Sequence, residues 1–208
     1  MSPRSAASQI QQMLDMQHQM NTKVHPQWFN QGFAWHRAIW VECAEMLDHF
    51  GWKWWKKQNP DTEQVMLELV DILHFGLSIR IDGQTSFDVI SETLASELEQ
   101  PSLGDDFPAT LERLASAAVT NKSFDARAFA GCMQQIGLSF DQMYRMYVGK
   151  NTLNMFRQNK GYQSGEYIKV WDNREDNEHL MDILHRLDSQ SVQFAKEVYQ
   201  ELERVYPA

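Results

Sequence analysis

Cysteine is scarce in this sequence. Cys43 and Cys132 are the only two, and a lone pair so far apart makes neither a disulfide framework nor a zinc-ligand spacing. Reduced thiols in an intracellular protein are the expectation. Positive charge is also in short supply, with 19 Lys and Arg against 28 Asp and Glu for a formal charge of −9. Non-specific nucleic-acid binding draws on a basic surface, so no nucleic-acid partner is expected. No apolar run approaches the ~20 residues of a membrane span, and the polar opening MSPRSAASQIQQ lacks a signal-peptide core. We expect a soluble, cytoplasmic protein with no membrane partner. A GxSxG nucleophile motif is missing too, which leaves a Ser/His/Asp hydrolase without support.

Period-two alternation is equally hard to find, and no strand is expected. Helical spacing is present almost everywhere. Ile10, Met13, Leu14 and Met20 mark a helix over 8–21, a second runs over 35–50 and stops at Gly51, and Asn59-Pro60-Asp61 opens a third that reaches residue 79. Further helices are expected over 86–99, 110–119 and 125–136, and Ser139-x-x-Gln142 has the form of a capping box for one toward Arg157. Residues 161–177 read as a loop and 178–205 as one or two helices. With no repeat, low-complexity tract or linker, the chain reads as a single all-α domain, 1–208, a multi-helix bundle.

Four carboxylates stand out. In AIWVECAEML, 38–47, the only charged residues are Glu42 and Glu45. In VMLELVDILHFGLSI, 65–79, the only carboxylates are Glu68 and Asp71, with no lysine or arginine. Each pair is spaced i, i+3, so both side chains leave one face of an otherwise apolar helix. Two such charges about 4 Å apart repel by ~4 kcal/mol at an effective dielectric of 20, before desolvation. Something positive must compensate, and neither segment supplies it. Hard oxygen ligands without histidine or thiolate favour Mg²⁺. A single ExxE says little, since charged helix faces are common; two pairs in acid-poor helices point to a metal site.

The motif Glu42-x-x-Glu45, 22 residues, Glu68-x-x-Asp71 resembles that of the all-α nucleoside-triphosphate pyrophosphohydrolases. WVECAEMLDHFGWKWWK (40–56), ELVDILHF (68–75), YVGKNTLNMFRQNKGY (147–162) and YIKVWDNREDN (167–177) resemble the dimeric dUTPase family within that superfamily. Residues of about 83–137 match only loosely. The resemblance implies a homodimeric dUTP diphosphatase that hydrolyses dUTP to dUMP and pyrophosphate and so limits uracil incorporation into DNA; it leaves open whether dUDP is also a substrate. It implies two or more Mg²⁺ per active site, held by Glu42, Glu45, Glu68 and Asp71, with Glu45 orienting or deprotonating the attacking water.

The stretch 145–174 holds six cations, Arg145, Lys150, Arg157, Lys160, Lys169 and Arg174, against Glu166 and Asp172. On its own this reads as a solvated charge run; the resemblance makes Lys150, Arg157 and Lys169 phosphate ligands. Gln17 and Asn21 continue the apolar stripe of the first helix, where they would ordinarily cap or solvate its end. The resemblance places such an amide-bearing segment, here Met16-Gln17-His18-Gln19-Met20-Asn21, over the base. An amide offers both a donor and acceptors to the uracil edge. Phe75 and Trp54 are the candidate apolar walls, and Asn154 and Asn177 candidate sugar or phosphate contacts. His74 is expected to be a core histidine. Two other readings stay open: a relative acting on another pyrimidine nucleotide such as dCTP, since the acids see phosphate and not the base, and a nucleotide-binding module with a vestigial metal site.

Overall fold

A computed structural model describes residues 5–188, 191 and 193–207. Its helices are α1 Ala6–Val24, α2 Trp35–Phe50, α3 Thr62–Arg80, α4 Phe87–Leu98, α5 Phe107–Ser116, α6 Ala126–Gln135, α7 Phe140–Asn159, α8 Asp176–Arg186 and α9 Phe194–Val205. The all-α class and the multi-helix bundle are borne out. A short 3-10 turn, Trp28–Asn30, follows α1, and a π-turn, Ala117–Asn121, extends α5.

The helix ends follow local chemistry. Gly51 stops α2 in the left-handed conformation at φ 85°, which glycine adopts without a Cβ clash. Asp61 caps α3 by accepting from the Gln64 amide, so Pro60 lies just outside the helix rather than in its first turn. Ser139 and Gln142 complete the expected capping box at the start of α7.

α3 is the central helix. Eleven of its nineteen residues are buried, which is why it reads as apolar on every side rather than as an amphipathic surface helix. It packs against α2, α7 and α1. At Gly76 a Cβ would come within 2.6 Å of the Phe124 ring, so only glycine lets that ring sit against α3. α1 lies across α4 and α7, and α8 and α9 close over α7. This arrangement brings the amides of α1, the acids of α2 and α3 and the cations of α7 toward one region.

One expectation is corrected. Residues 161–177 are not all loop, because Val170–Trp171 and Arg174–Glu175 pair as a two-residue antiparallel ribbon. Its turn residues Asp172 and Asn173 both take positive φ, 51° and 59°, the conformation of a tight hairpin that Asp and Asn tolerate best after glycine. The ribbon is too short to show alternation, so only the Asp-Asn pair signals it. It turns the chain back so that α8 begins at Asp176.

Candidate functional site

Glu42 on α2 and Glu68 and Asp71 on α3 place carboxylate oxygens within 4.8 Å of one another. The i, i+3 spacing does aim both α3 acids at α2. Glu68 is buried, while Glu42 and Asp71 are half-buried. Burial, the charge of Asp71 and a hydrogen bond shared with Glu68 push Glu42 up to about 8. Glu68 is also raised, by burial and then by Asp71, against the pull of the Glu42 hydrogen bond and the Lys150 charge. Glu42 and Glu68, joined by that hydrogen bond beside the Asp71 charge, retain a proton between them unless a cation replaces it. Glu45 stands one turn further along α2, exposed and outside this trio, yet near enough for its charge to act on both glutamates.

The missing positive charge comes from α7. Lys150 is 3% exposed, with its Nζ 2.9 Å from Asp71 Oδ2 and 2.9 Å from Asn177 Oδ1. His49, one turn beyond Glu45, adds a weaker contact, its Nε2 3.6 Å from Glu68 Oε1. Neither α2 nor α3 contains a lysine or arginine close to the acids, so sequence reasoning finds Lys150 only through the cationic stretch and misses His49.

From Lys150 the polar network continues. Arg157 donates to both oxygens of Asp176, Nε at 2.7 Å and Nη2 at 2.8 Å. It also donates from Nη1 to Asn154 Oδ1 at 2.9 Å and from Nη2 to Asn177 Oδ1 at 3.4 Å. Four of its five N–H groups are thus engaged inside the protein, leaving one on Nη1. Asp176 is fully buried and accepts a third bond from the Tyr167 hydroxyl. Burial opposes the charge on both members of the pair, and the hydrogen bonds outweigh it: Arg157 is held above its usual range and Asp176 below. Asp176 and Tyr167 were not among the expected site residues. Asp176 sits next to Asn177 in a stretch of mixed charge, where sequence alone gives no sign of complete burial. Lys169 is half-exposed and pairs with Glu175 at 3.0 Å.

Gln17 and Asn21 are each 4% exposed, so they do not solvate the end of α1. They bond to each other, to Tyr147 and to Ser78. Phe75 stacks against Trp35 with ring centroids 6.2 Å apart. Trp54 is 88% exposed on the bend between α2 and α3, edge-on to Trp55. The chain therefore does not bring Trp54 to Phe75, and Trp35 takes the expected place beside that ring. His74 is buried and stacks on the Tyr147 ring at 4.1 Å, with Nδ1 2.8 Å from the Val70 carbonyl. Burial lowers its pKa to about 4, so it is the neutral core histidine that was expected, but not a fully satisfied one, since its buried Nε2 meets no hydrogen-bond partner. Cys43 and Cys132 are free and buried, and burial pushes both thiols up.

Gln17, Asn21, the four acids, Phe75, Lys150, Asn154 and Arg157 all lie within residues 9–162, which match a family model described as dUTPase. Lys169, Asp176 and Asn177 fall beyond the matched residues. No curated protein matches the chain. No helix among the described residues is long and apolar enough to cross a membrane.

Proposed function

The chain belongs to the dUTPase family and is a dUTP-hydrolysing enzyme, and from that premise we propose that it is a Mg²⁺-dependent diphosphatase releasing dUMP and pyrophosphate. The observation that carries the reading is the convergence of Glu42, Glu68 and Asp71 within 4.8 Å. Hard carboxylate oxygens without an imidazole or thiolate among them suit Mg²⁺, and the mutual repulsion of these acids is what a divalent cation would relieve. Glu42, Glu68 and Asp71, with Glu45 at their edge, would hold it. When bound, Mg²⁺ supplies charge to offset the triphosphate and acidifies water.

The remaining chemistry belongs to the protein. Glu45 is the acid that faces solvent beside the trio, so it orients the attacking water and accepts its proton. Lys150 neutralises Asp71 and, with its third N–H, reaches toward phosphate. Arg157 contributes its remaining Nη1 hydrogen, held in place by Asp176 and Asn154, and Lys169 exchanges Glu175 for a phosphate oxygen. Asn154 and Asn177 keep Arg157 and Lys150 aimed. Gln17 and Asn21 read the uracil edge, and Phe75 with Trp35 forms an apolar wall for the ring. The exposed Trp52 and Trp54 each lie edge-on to the exposed Trp55, an apolar cluster that suits a homodimer, in which Trp54 is covered by the second copy or by the nucleotide.

A turnover screen over the deoxynucleoside triphosphates with Mg²⁺ tests the reading. It predicts dUTP as the preferred substrate; equal hydrolysis of dCTP would move the protein to a broader pyrimidine pyrophosphohydrolase. Tight dUTP binding without pyrophosphate release would favour a binding module.

A further inference from the structure

Four buried side chains on α1, α3 and α7 form one continuous hydrogen-bond chain. The Tyr147 hydroxyl donates to Gln17 Oε1 at 2.8 Å, and Gln17 Nε2 donates to Asn21 Oδ1 at 2.9 Å. Asn21 Nδ2 then donates to Ser78 Oγ at 3.0 Å, and the Ser78 hydroxyl donates to the His74 carbonyl at 2.9 Å. Burial keeps the Tyr147 phenol protonated, so its O–H is always there to donate. Each link dictates the next, because a hydroxyl has one hydrogen and an amide one donor end and one acceptor end.

The same atoms permit the opposite direction. The Tyr147 hydroxyl also lies 3.1 Å from the Met13 carbonyl. Donating there, it would accept from Gln17 Nε2; Gln17 Oε1 would accept from Asn21 Nδ2, and Ser78 would donate to Asn21 Oδ1. Every link is satisfied both ways. The direction is therefore decided at the two ends, His74 through Ser78 or Met13 through Tyr147, since a backbone carbonyl only accepts.

Reversal exchanges the oxygen and nitrogen of both amides, so it inverts the donor and acceptor pattern they offer a ligand. Uracil presents N3–H beside the C4 carbonyl, whereas cytosine presents an unprotonated N3 beside the C4 amino group, the inverse at those two positions, with the C2 carbonyl common to both. We propose that the direction of this chain selects uracil over cytosine, and that Ser78, acting through Asn21, is the positioning residue that sets it. The inference rests on the reading that Gln17 and Asn21 meet the base.

The test is the ratio of kcat/KM for dUTP to that for dCTP, measured on the full chain with Mg²⁺. Calorimetric affinities for dUMP and dCMP read base discrimination separately, without turnover. Ser78→Ala removes the His74 end and leaves Met13 as the only backbone anchor, so the ratio should fall by about tenfold or more, the effect of one mispaired buried group. Tyr147→Phe removes the Met13 end, so the ratio should hold or rise even as both rates drop. Ser78→Thr keeps the hydroxyl and should restore the wild-type ratio. A general folding defect lowers both nucleotides together and cannot move the two variants in opposite directions. The inference is overturned if Ser78→Ala leaves the ratio unchanged, or if Tyr147→Phe narrows it as much as Ser78→Ala does. Asn21→Ala separates the two levels: if it collapses the ratio while Ser78→Ala does not, only the relay is wrong. If Asn21→Ala also leaves the ratio intact, the base reading fails and takes the relay with it.

Discussion

Asp176→Asn removes one charge and changes almost no volume, yet it should be among the most damaging substitutions in the chain. Asp176 is fully buried and its two oxygens receive Arg157 Nε, Arg157 Nη2 and the Tyr167 hydroxyl. Whichever way the asparagine amide turns, its NH₂ faces an N–H of the guanidinium. One hydrogen bond becomes a donor–donor contact, and the arginine charge is left buried without its partner. Breaking a buried pair from one side costs ~3–5 kcal/mol. For a chain of this size each kcal/mol is worth about 2–4 °C in Tm, so the drop should be on the order of 6–20 °C. Thermal melting followed by far-UV circular dichroism measures it. The double variant Arg157→Met/Asp176→Leu should recover most of that loss, since apolar replacement of a buried pair is often neutral, while dUTP turnover stays low for want of the guanidinium. A melting temperature for Asp176→Asn within about 3 °C of the native protein would refute the pair as described.

Without metal, stability should fall as pH rises from about 5 to about 8. Glu42 keeps its proton in the fold up to about 8 but releases it near 4.5 when unfolded, so the folded state is favoured at the lower pH; a loss of ~1–2 kcal/mol is expected for this part-solvated acid. Urea unfolding in EDTA at the two pH values checks this, and Mg²⁺ should abolish the trend by taking the proton's place; stability that rises over the same window would contradict it. Glu45→Gln should melt within about 2 °C of the native protein, because the side chain is exposed, while kcat falls by ~10²–10⁴; near-normal turnover removes Glu45 from the mechanism. Arg157→Ala, assayed at a temperature where it remains folded, should weaken triphosphate binding far more than deoxyuridine binding, and equal losses by calorimetry would make Arg157 purely structural.

The fold class was legible because the signals are local. The apolar stripe of α1, Gly51 at the end of α2 and the Ser139 capping box each act within a turn or two of chain. The pairing of Glu68 with Asp71 was legible for the same reason, as an i, i+3 geometry. What stayed hidden depends on contacts distant in sequence. Asp176 is paired with an arginine nineteen positions away, and nothing near it marks it as buried. Tyr147 reaches Gln17 across 130 positions, and Ser78 meets Asn21 across 57. The cationic stretch of 145–174 showed where positive charge is concentrated but not how it is spent. Lys150 and Arg157 turn out to be largely engaged with Asp71, Asp176 and two asparagines. Trp54 and Phe75 were expected together as walls of the base slot; within one copy it is Trp35, at the start of α2, that stacks on Phe75.

The central claim is that the acids of α2 and α3 bind Mg²⁺ to release pyrophosphate from dUTP. Phosphorus NMR of a dUTP digest, run with Mg²⁺ and again with excess EDTA, tests it most directly. With Mg²⁺, dUMP and pyrophosphate should appear in equal amounts; EDTA should stop turnover, and added Mg²⁺ should restore it. Undiminished hydrolysis in EDTA, or dUDP with orthophosphate as the first products, would contradict it.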